Sequence, residues 1–224
     1  MTGPFPVGSR RHQLLARVAD RVLANAGPHG SRVGVDGVDG AGKTTFAAEL
    51  AAVLRSRGRE TVHLSVDGFH QRRVLRHRRG HDSAEGFWLD SYDYPALRAN
   101  VLDAFGHSGT GRYRPASHDL ASDRLVDLPW QSAARDAILV LDGLFLHRDE
   151  LVEQWDFSIF LEVPFAMSVA RMAHRDGSDP DPDHPDNARY VGGQRLYFAA
   201  CSPWERASLV IDNTDLGAPR IVRS

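Results

Sequence analysis

Apolar residues recur along the chain with two different spacings, and segments of the two kinds follow one another. Residues 11–26 carry Leu14, Val18 and Val22 at helical spacing, and Gly27 and Pro28 end that pattern. Similar periodicity predicts helices over 45–58, 94–106, 164–176 and 188–201. Short apolar runs predict strands at 32–36, 61–66, 137–142, 156–163 and 208–212. Strands that alternate with helices indicate βαβ units and a parallel sheet of about five strands.

The remaining segments lack either spacing. Residues 67–93 are predicted to be irregular and polar, and 110–130 to be extended pieces joined by turns. Proline and aspartate dominate 176–186, which predicts a loop. The chain, 1–224, is therefore interpreted as one α/β domain, with an insertion over roughly 67–130 and a lid over roughly 176–187. The run SLVID at 208–212 is expected to close the sheet.

Composition indicates the cellular compartment and the partners to expect for this protein. The net charge of −2 gives no general attraction to nucleic acid or to anionic membranes. One cysteine, Cys201, excludes an internal disulfide and fits a reducing compartment. The N-terminus lacks the order of a signal peptide, and no apolar run approaches the roughly 20 residues of a spanning helix. We expect a cytoplasmic protein without nucleic-acid or membrane partners.

Lysine is used once in this chain. Of the 27 basic residues, 26 are arginine, and Lys43 stands in GVDGAGKT at 37–44. This stretch matches the pattern G-x-x-x-x-G-K-[ST] between a predicted strand and a predicted helix, where backbone N–H groups surround phosphates. We therefore expect ATP here, with Lys43 on its β- and γ-phosphates. The predicted nucleotide-binding residues are Gly37, Val38, Asp39, Gly40, Ala41, Gly42, Lys43, Thr44 and Thr45.

Two residues are predicted to serve Mg²⁺: the Thr44 hydroxyl and Asp142, which ends the strand AILVLD. The alternative for Asp142 is a strand-end aspartate that caps a turn. Asp142 is followed by Gly143 and not by a water-polarising glutamate. With its one lysine in this loop, the chain also cannot carry the N/T-K-x-D motif of guanine-specific GTPases. Both facts favour transfer to a bound acceptor.

The stretch SVDGFHQRR, 65–73, follows the second predicted strand. The carboxyl ends of parallel strands lie at one edge of a sheet, so Asp67 is expected beside the phosphate-binding loop. A carboxylate there can accept the proton of an attacking hydroxyl. The alternative is an Asx-turn that starts a loop.

These motifs, in this order, resemble the uridine kinase-like P-loop kinases, relatives of pantothenate kinase and phosphoribulokinase, over roughly residues 30–215. The resemblance implies a P-loop NTPase three-layer sandwich and an ATP:alcohol phosphotransferase. VDGFH is similar to the family segment that carries the catalytic base, which implies that role for Asp67 and places Phe69 and His70 at the substrate. SYDYP resembles the segment whose aspartate holds ribose hydroxyls, here Asp93. Arg171 and Arg175 lie where the family grips the transferring phosphate.

The chain departs from the family where uridine kinases recognise the pyrimidine. The corresponding stretch is HDLASDR at 118–124, in which His118 replaces a tyrosine, whereas Asp119 and Arg124 match. His118 and Arg124 remain the expected substrate residues. PWERASLVID at 203–212 is closer to pantothenate kinase. The first expected acceptor is uridine or cytidine, and the second is pantothenate or a sugar-like alcohol. A nucleotide-binding regulatory module without transfer activity is the alternative from another class.

Two charged loops leave several interpretations open. Residues 72–82 hold five arginines and two histidines, which fits a solvated loop, a flap over an anionic ligand or a nucleic-acid patch. The aspartates of 176–186 alternate, but His184 and Tyr190 stand where a calcium-binding EF-hand needs glycine and glutamate. We interpret that segment as a mobile lid, attracted by the basic loop.

Overall fold

Six strands form one mixed sheet in the computed structural model, which describes residues 8–224. Part of the N-terminal segment considered above lies outside these residues. The strands of the sheet are β1 (Ser31–Gly37), β2 (Thr61–Ser65), β7 (Ile138–Asp142), β8 (Phe157–Glu162), β9 (Leu209–Asp212) and β10 (Arg220–Arg223). Their order is β10-β9-β8-β1-β7-β2, and only β10 runs antiparallel to its neighbour. Two-residue strands β3 (Arg112–Tyr113), β4 (His118–Asp119), β5 (Arg124–Leu125) and β6 (Gln131–Ser132) form two separate small pairs.

Helices cover both faces of the sheet. They are α1 (Arg10–Asn25), α2 (Lys43–Ser56), α3 (Arg73–Arg76), α4 (Ala84–Asp90), α5 (Tyr94–Asn100), α6 (Phe165–Asp176), α7 (Ala188–Cys201) and α8 (Pro203–Arg206). Short 3₁₀ turns lie at Val66–Phe69, Leu102–Ala104, Val152–Gln154 and Pro185–Asn187. Among the described residues, no helix combines the length and apolar character that crossing a membrane requires.

Strand β7 shows why the fold has three layers. Successive side chains of a strand point to opposite faces. Ile138 and Val140 pack in the core that α1 and α2 form on one face, whereas Leu139 and Leu141 pack in the core with α4, α5 and α7 on the other. All four are fully buried, and each such side chain contributes roughly 1.5–3 kcal/mol through burial. The expected α/β three-layer sandwich is confirmed.

The structure corrects three details of the predicted elements. The sheet has six strands instead of about five, and the edge strand is β10, so SLVID does not close the sheet. Residues 67–93 are not wholly irregular, because they contain α3 and α4. The predicted helix over 94–106 ends at Asn100 and is followed by a 3₁₀ turn.

Helix α7 contains Gly192 and Gly193 because it lies very close to α4. A Cβ at Gly193 would stand 2.7 Å from Phe87 Cδ1 and 2.8 Å from the Ala84 carbonyl oxygen. A side chain at this position would push the two helices apart. The glycines therefore allow close packing of α7 on α4, and this packing offsets their low helix propensity.

A fully buried polar network fixes the end of β1, directly before the phosphate-binding motif. The Asp36 carboxylate accepts hydrogen bonds from His147 Nδ1 at 2.8 Å and the Tyr197 hydroxyl at 2.6 Å. It also accepts from the N–H groups of Gly37, Leu146 and His147. Burial, and then the Asp36 charge, raise the pKa of Tyr197 well above its ordinary value. Asp36 thus joins β1, the segment after β7 and α7.

We expect Asp36→Ala to lower the free energy of unfolding by about 3–5 kcal/mol, because several buried donors lose their acceptor. Tyr197→Phe is the matched control, since it removes one donor and is expected to cost about 1 kcal/mol. Urea unfolding of the three proteins measures the difference. Equal midpoints for the two variants would contradict the role given to Asp36.

Candidate active site

The carboxyl ends of β1, β7 and β2 meet at one edge of the sheet, as the parallel pairing requires. A cavity of about 290 Å³ opens there. Its walls bring together most of the residues predicted from the motifs: Asp39, Gly40, Gly42, Lys43, Thr44, Thr45, Asp67, Asp142, Arg171 and Arg175.

The first turn of α2 has no side-chain cap on its backbone N–H groups. Gly40 and Gly42 have φ angles of +72° and +86°, and Gly42 precedes the helix without a side-chain cap. The first turn of α2 has no acidic residue. Unpaired N–H groups at a helix N-terminus bind phosphate oxygens. Lys43 Nζ donates to the Val38 carbonyl at 2.9 Å, so its ammonium lies over the loop.

Contacts from α6 and the turn after β9 support this loop from behind. Asn213 Nδ2 donates to the Ala41 carbonyl at 2.7 Å. The Arg171 guanidinium donates to the carbonyls of Gly40, Asn213 and Thr214 at 3.3, 3.1 and 2.6 Å. Arg171 lines the cavity, but these bonds make it a brace for the loop. Arg175 is more exposed, pairs with Asp176 at 3.0 Å, and lies one helical turn further on.

Thr44 and Asp142 point at each other across the cavity. The Thr44 hydroxyl donates to Asp142 Oδ2 at 2.7 Å, and Asp142 is 1% exposed. His63 Nε2 lies 2.7 Å from Asp142 Oδ1 and fixes the second oxygen. The sequence had not indicated His63, whose strand β2 pairs with β7 in a register that places it there.

Steric packing explains why the residue directly after Asp142 is a glycine, Gly143. A Cβ at this position would lie 2.1 Å from Val66 Cγ1, so a glutamate cannot occupy it without moving the turn that carries Asp67. The same contact fixes the distance between the ends of β7 and β2.

Asp67 stands in the 3₁₀ turn Val66–Phe69, whose geometry decides which side chains face the cavity. Positions three apart in such a turn lie on the same side. Val66 and Phe69 are fully buried, and Asp67 is exposed to the cavity. The Asp67 carboxylate accepts a hydrogen bond from the Tyr92 hydroxyl at 3.1 Å. Burial, followed by the Asp67 charge, raises the pKa of Tyr92 well above its ordinary value.

A second cavity, of about 610 Å³, continues from the first and is called the acceptor cavity below. Asp39, Asp67, Leu144, Met172 and Arg175 line both. The rest of its wall comes from α4, α7, the end of α6 with the loop after it, and three positions outside these elements, His70, Tyr92 and Leu120. These wall residues are His70, Phe87, Tyr92, Leu120, Asp176, Gly177, Ser178, Asp179, Asp186, Asn187 and Tyr190.

His70 lines the acceptor cavity. One ring nitrogen, Nδ1, lies 2.9 Å from the Asp67 carbonyl oxygen, and the ring stacks at a tilt on Tyr92 with centroids 4.6 Å apart. Burial lowers the pKa of His70 from its ordinary value. A neutral imidazole is therefore favoured at this wall of the cavity.

Four of the expected substrate residues do not line either cavity. Phe69 is fully buried in the core, which corrects its expected contact with substrate. Asp93 caps α5 by accepting from the Ala96 N–H at 2.9 Å. His118 is 3% exposed and lies 3.2 Å from Asp123, and Arg124 is exposed on β5.

Arginines of the basic loop, residues 72–82, form ion pairs with carboxylates outside residues 176–186. Arg78 and Arg79 both pair with the buried Asp90, and Arg76 lies 3.6 Å from Asp123. Among the described residues no ion pair joins the loop 72–82 to the aspartates of 176–186. The expected attraction is therefore absent from this structure, in which Arg76, Arg78 and Arg79 pair with carboxylates of the insertion instead.

The loop between α6 and α7, which the sequence predicts to be a lid, has internal hydrogen bonds and one ion pair to α7. Asn187 Nδ2 donates to the carbonyls of Asp179 and Asp181 at 2.9 and 2.7 Å. Asp183 pairs with Arg195 of α7 at 2.9 Å. These contacts hold the loop over the acceptor cavity.

The residues present fit ATP and Mg²⁺. The uncapped N-terminus of α2 and the ammonium of Lys43 suit phosphate oxygens, and the Thr44 and Asp142 oxygens suit a hard cation. The arrangement places these groups and the Asp67 carboxylate around one cavity.

Comparisons with known proteins agree with the fold. The model of the phosphoribulokinase/uridine kinase family matches residues 33–180. A "possible uridine kinase" from Bacillus stearothermophilus superposes with a TM-score of 0.69 at 19% identity, over 88% of this chain and 97% of that one. A "putative fructose transport system kinase" from Silicibacter sp. TM1040 gives 0.67 at 25% identity, over 84% and 95%. D-glycerate 3-kinase from Cryptococcus neoformans gives 0.56 at 12% identity, over 84% and 88%. None of the curated proteins matches the sequence significantly.

Proposed function

The chain belongs to the phosphoribulokinase/uridine kinase family, and from that premise we propose that it transfers the γ-phosphate of ATP to the primary hydroxyl of a small molecule. The observation that carries the proposal is the shared cavity. Asp67 lines it together with Lys43, Thr44 and Asp142, and also lines the adjoining acceptor cavity. A base placed between a phosphate site and an acceptor site suits phosphoryl transfer.

Each residue has a chemical task in the proposed reaction. The acceptor hydroxyl oxygen bonds to the γ-phosphorus, the bond from that phosphorus to the β,γ-bridging oxygen breaks, and ADP leaves. Asp67 takes the hydroxyl proton, and Tyr92 orients its carboxylate. Lys43 and the loop N–H groups bind the phosphates, while Arg175 neutralises charge on the transferring group. Mg²⁺, when bound, neutralises phosphate charge, and Thr44 and Asp142 would hold it.

The sugar-like alcohol is favoured over uridine or cytidine as the acceptor. Asp93, His118 and Arg124, the residues that the resemblance implies for ribose and base, do not line the acceptor cavity. The 25% identity to the "putative fructose transport system kinase" supports the same choice. Both acceptor classes carry the primary hydroxyl that the proposed chemistry needs.

A screen of acceptors tests the proposal. ADP release would be coupled to a spectrophotometric assay in the presence of MgATP and one acceptor at a time: nucleosides, sugars or pantothenate. We expect acceptor-dependent ADP release with at least one uncharged alcohol. ATP binding without turnover on any acceptor would overturn the proposal and favour a nucleotide-binding module.

A further inference from the structure

The wall of the acceptor cavity is strongly acidic. Five carboxylates line it, from Asp39, Asp67, Asp176, Asp179 and Asp186, against one guanidinium, that of Arg175. Arg175 lies 3.0 Å from Asp176, and the proposed reaction assigns its charge to the transferring phosphate. His70 is the one imidazole on this wall, and burial lowers its pKa. The cavity therefore has little positive charge to offer an anion.

Asp39 is the carboxylate that the phosphate-binding motif does not explain. The motif needs no acidic side chain at this position, and a negative charge facing the triphosphate would repel it. Asp39 lines the acceptor cavity as well as the phosphate cavity, as Asp67 does. The two carboxylates therefore share the passage between phosphate and acceptor.

Gln194 of α7 holds Asp39 in place. The Asp39 N–H donates to Gln194 Oε1 at 2.8 Å, and Gln194 Nε2 lies 3.5 Å from Asp39 Oδ2. Gln194 is itself fixed by donating to the Tyr190 carbonyl at 2.9 Å. Within the described residues, the 3.5 Å contact is the hydrogen bond that the Asp39 carboxylate accepts, which leaves capacity for a donor.

The surroundings of Asp39 call for a hydrogen-bond donor. Burial raises the pKa of Asp39 from its ordinary value, Lys43 opposes this shift, and Asp67 adds to it. A hydroxyl group that donates to this carboxylate would stabilise its charged form. The aromatic rings of Phe87, Tyr92 and Tyr190 provide an apolar wall for the carbon skeleton of such a ligand.

We infer that Asp39 binds a second hydroxyl of the acceptor while Asp67 binds the reacting one. The acceptor is then an uncharged polyhydroxy compound, and compounds that carry a carboxylate or phosphate are excluded by the acidic wall. This inference rests on the proposed function, which names only a primary hydroxyl. It separates sugars and nucleosides from pantothenate, glycerate and sugar phosphates.

Acceptor kinetics at saturating MgATP test whether anionic acceptors are excluded. Uridine, cytidine, D-ribose and D-fructose would be compared with pantothenate, D-glycerate and ribulose 5-phosphate. We expect kcat/KM for the best uncharged acceptor to exceed that of every anion by about a hundredfold, the effect of like charges at close range. An anion as the best acceptor would overturn the inference and leave the proposed function intact. No turnover with any acceptor would overturn both.

Asp39→Asn tests the residue itself. The amide keeps the shape but loses the charge, so KM for the uncharged acceptor should rise by about tenfold or more. KM for MgATP and the Mg²⁺ requirement should not rise, because the amide of Asp39→Asn carries no charge that could repel the triphosphate. The matched control is Asp103→Asn, which removes an exposed carboxylate that lies 3.6 Å from Arg98. An unchanged acceptor KM, or a raised Mg²⁺ requirement instead, would show that Asp39 does not bind the acceptor.

Discussion

Asp67→Asn is expected to lower kcat by about 10²–10⁴-fold and to leave MgATP affinity unchanged. The asparagine amide can still orient a hydroxyl but cannot take its proton. Asp67 makes no hydrogen bond to the phosphate-binding loop; its carboxylate accepts from Tyr92, and its N–H donates to Ser65 Oγ at 3.3 Å. The loss should therefore fall on the chemical step.

Two measurements separate this effect from a structural one. kcat comes from coupled ADP release at saturating substrates, and the dissociation constant for MgATP from calorimetry. Tyr92→Phe is the graded control, because it removes the hydroxyl that orients Asp67 but keeps the carboxylate and the ring. We expect it to lower kcat by less than tenfold. A wild-type kcat for Asp67→Asn would refute the role of Asp67 as the base.

Lys43→Arg is expected to lower kcat/KM for ATP by about 10²–10³-fold, although it preserves the charge. Lys43 Nζ lies over the loop, within 2.9 Å of the Val38 carbonyl. The planar, larger guanidinium cannot occupy that position without displacing the loop. Initial rates as a function of ATP concentration measure the loss.

The control for this substitution is Arg98→Lys, which exchanges the same two residue types in the opposite direction on the surface. Arg98 is 56% exposed and lies 3.6 Å from Asp103. We expect wild-type kinetics from it. If Lys43→Arg were equally harmless, the choice of lysine at this one position would need another explanation than phosphate binding.

The parts of the site that the sequence predicts are those that depend on local geometry. The phosphate-binding loop needs only its glycines and the strand and helix beside it. Asp142 ends β7 and Asp67 lies two residues beyond the end of β2, and the pairing of β2 with β7 must bring those ends together. The proximity of the phosphate-binding loop, Asp67 and Asp142 could therefore be predicted from the sequence.

Other features depend on contacts between distant segments. Helix α4 has seven residues and is stabilised by packing on α7, which no local spacing signals. The burial of Phe69 follows from the 3₁₀ turn, which the pattern of residues does not indicate. Strand β10 pairs at the sheet edge with a shifted register, so its four residues show no clear alternation. Gln194 and Tyr190 reach the site only through the position of α7.

The fate of the γ-phosphate shows directly whether the protein transfers it to an acceptor or hydrolyses ATP. The protein would be incubated with ATP radiolabelled at the γ-phosphate and with the acceptor that the screen identifies, and the products separated by chromatography. We expect the label in a phosphate ester of the acceptor, in an amount equimolar with ADP. With the Asp67→Asn variant we expect almost no labelled ester. Label found only in inorganic phosphate, or equal ester formation by the variant, would contradict the proposed transfer.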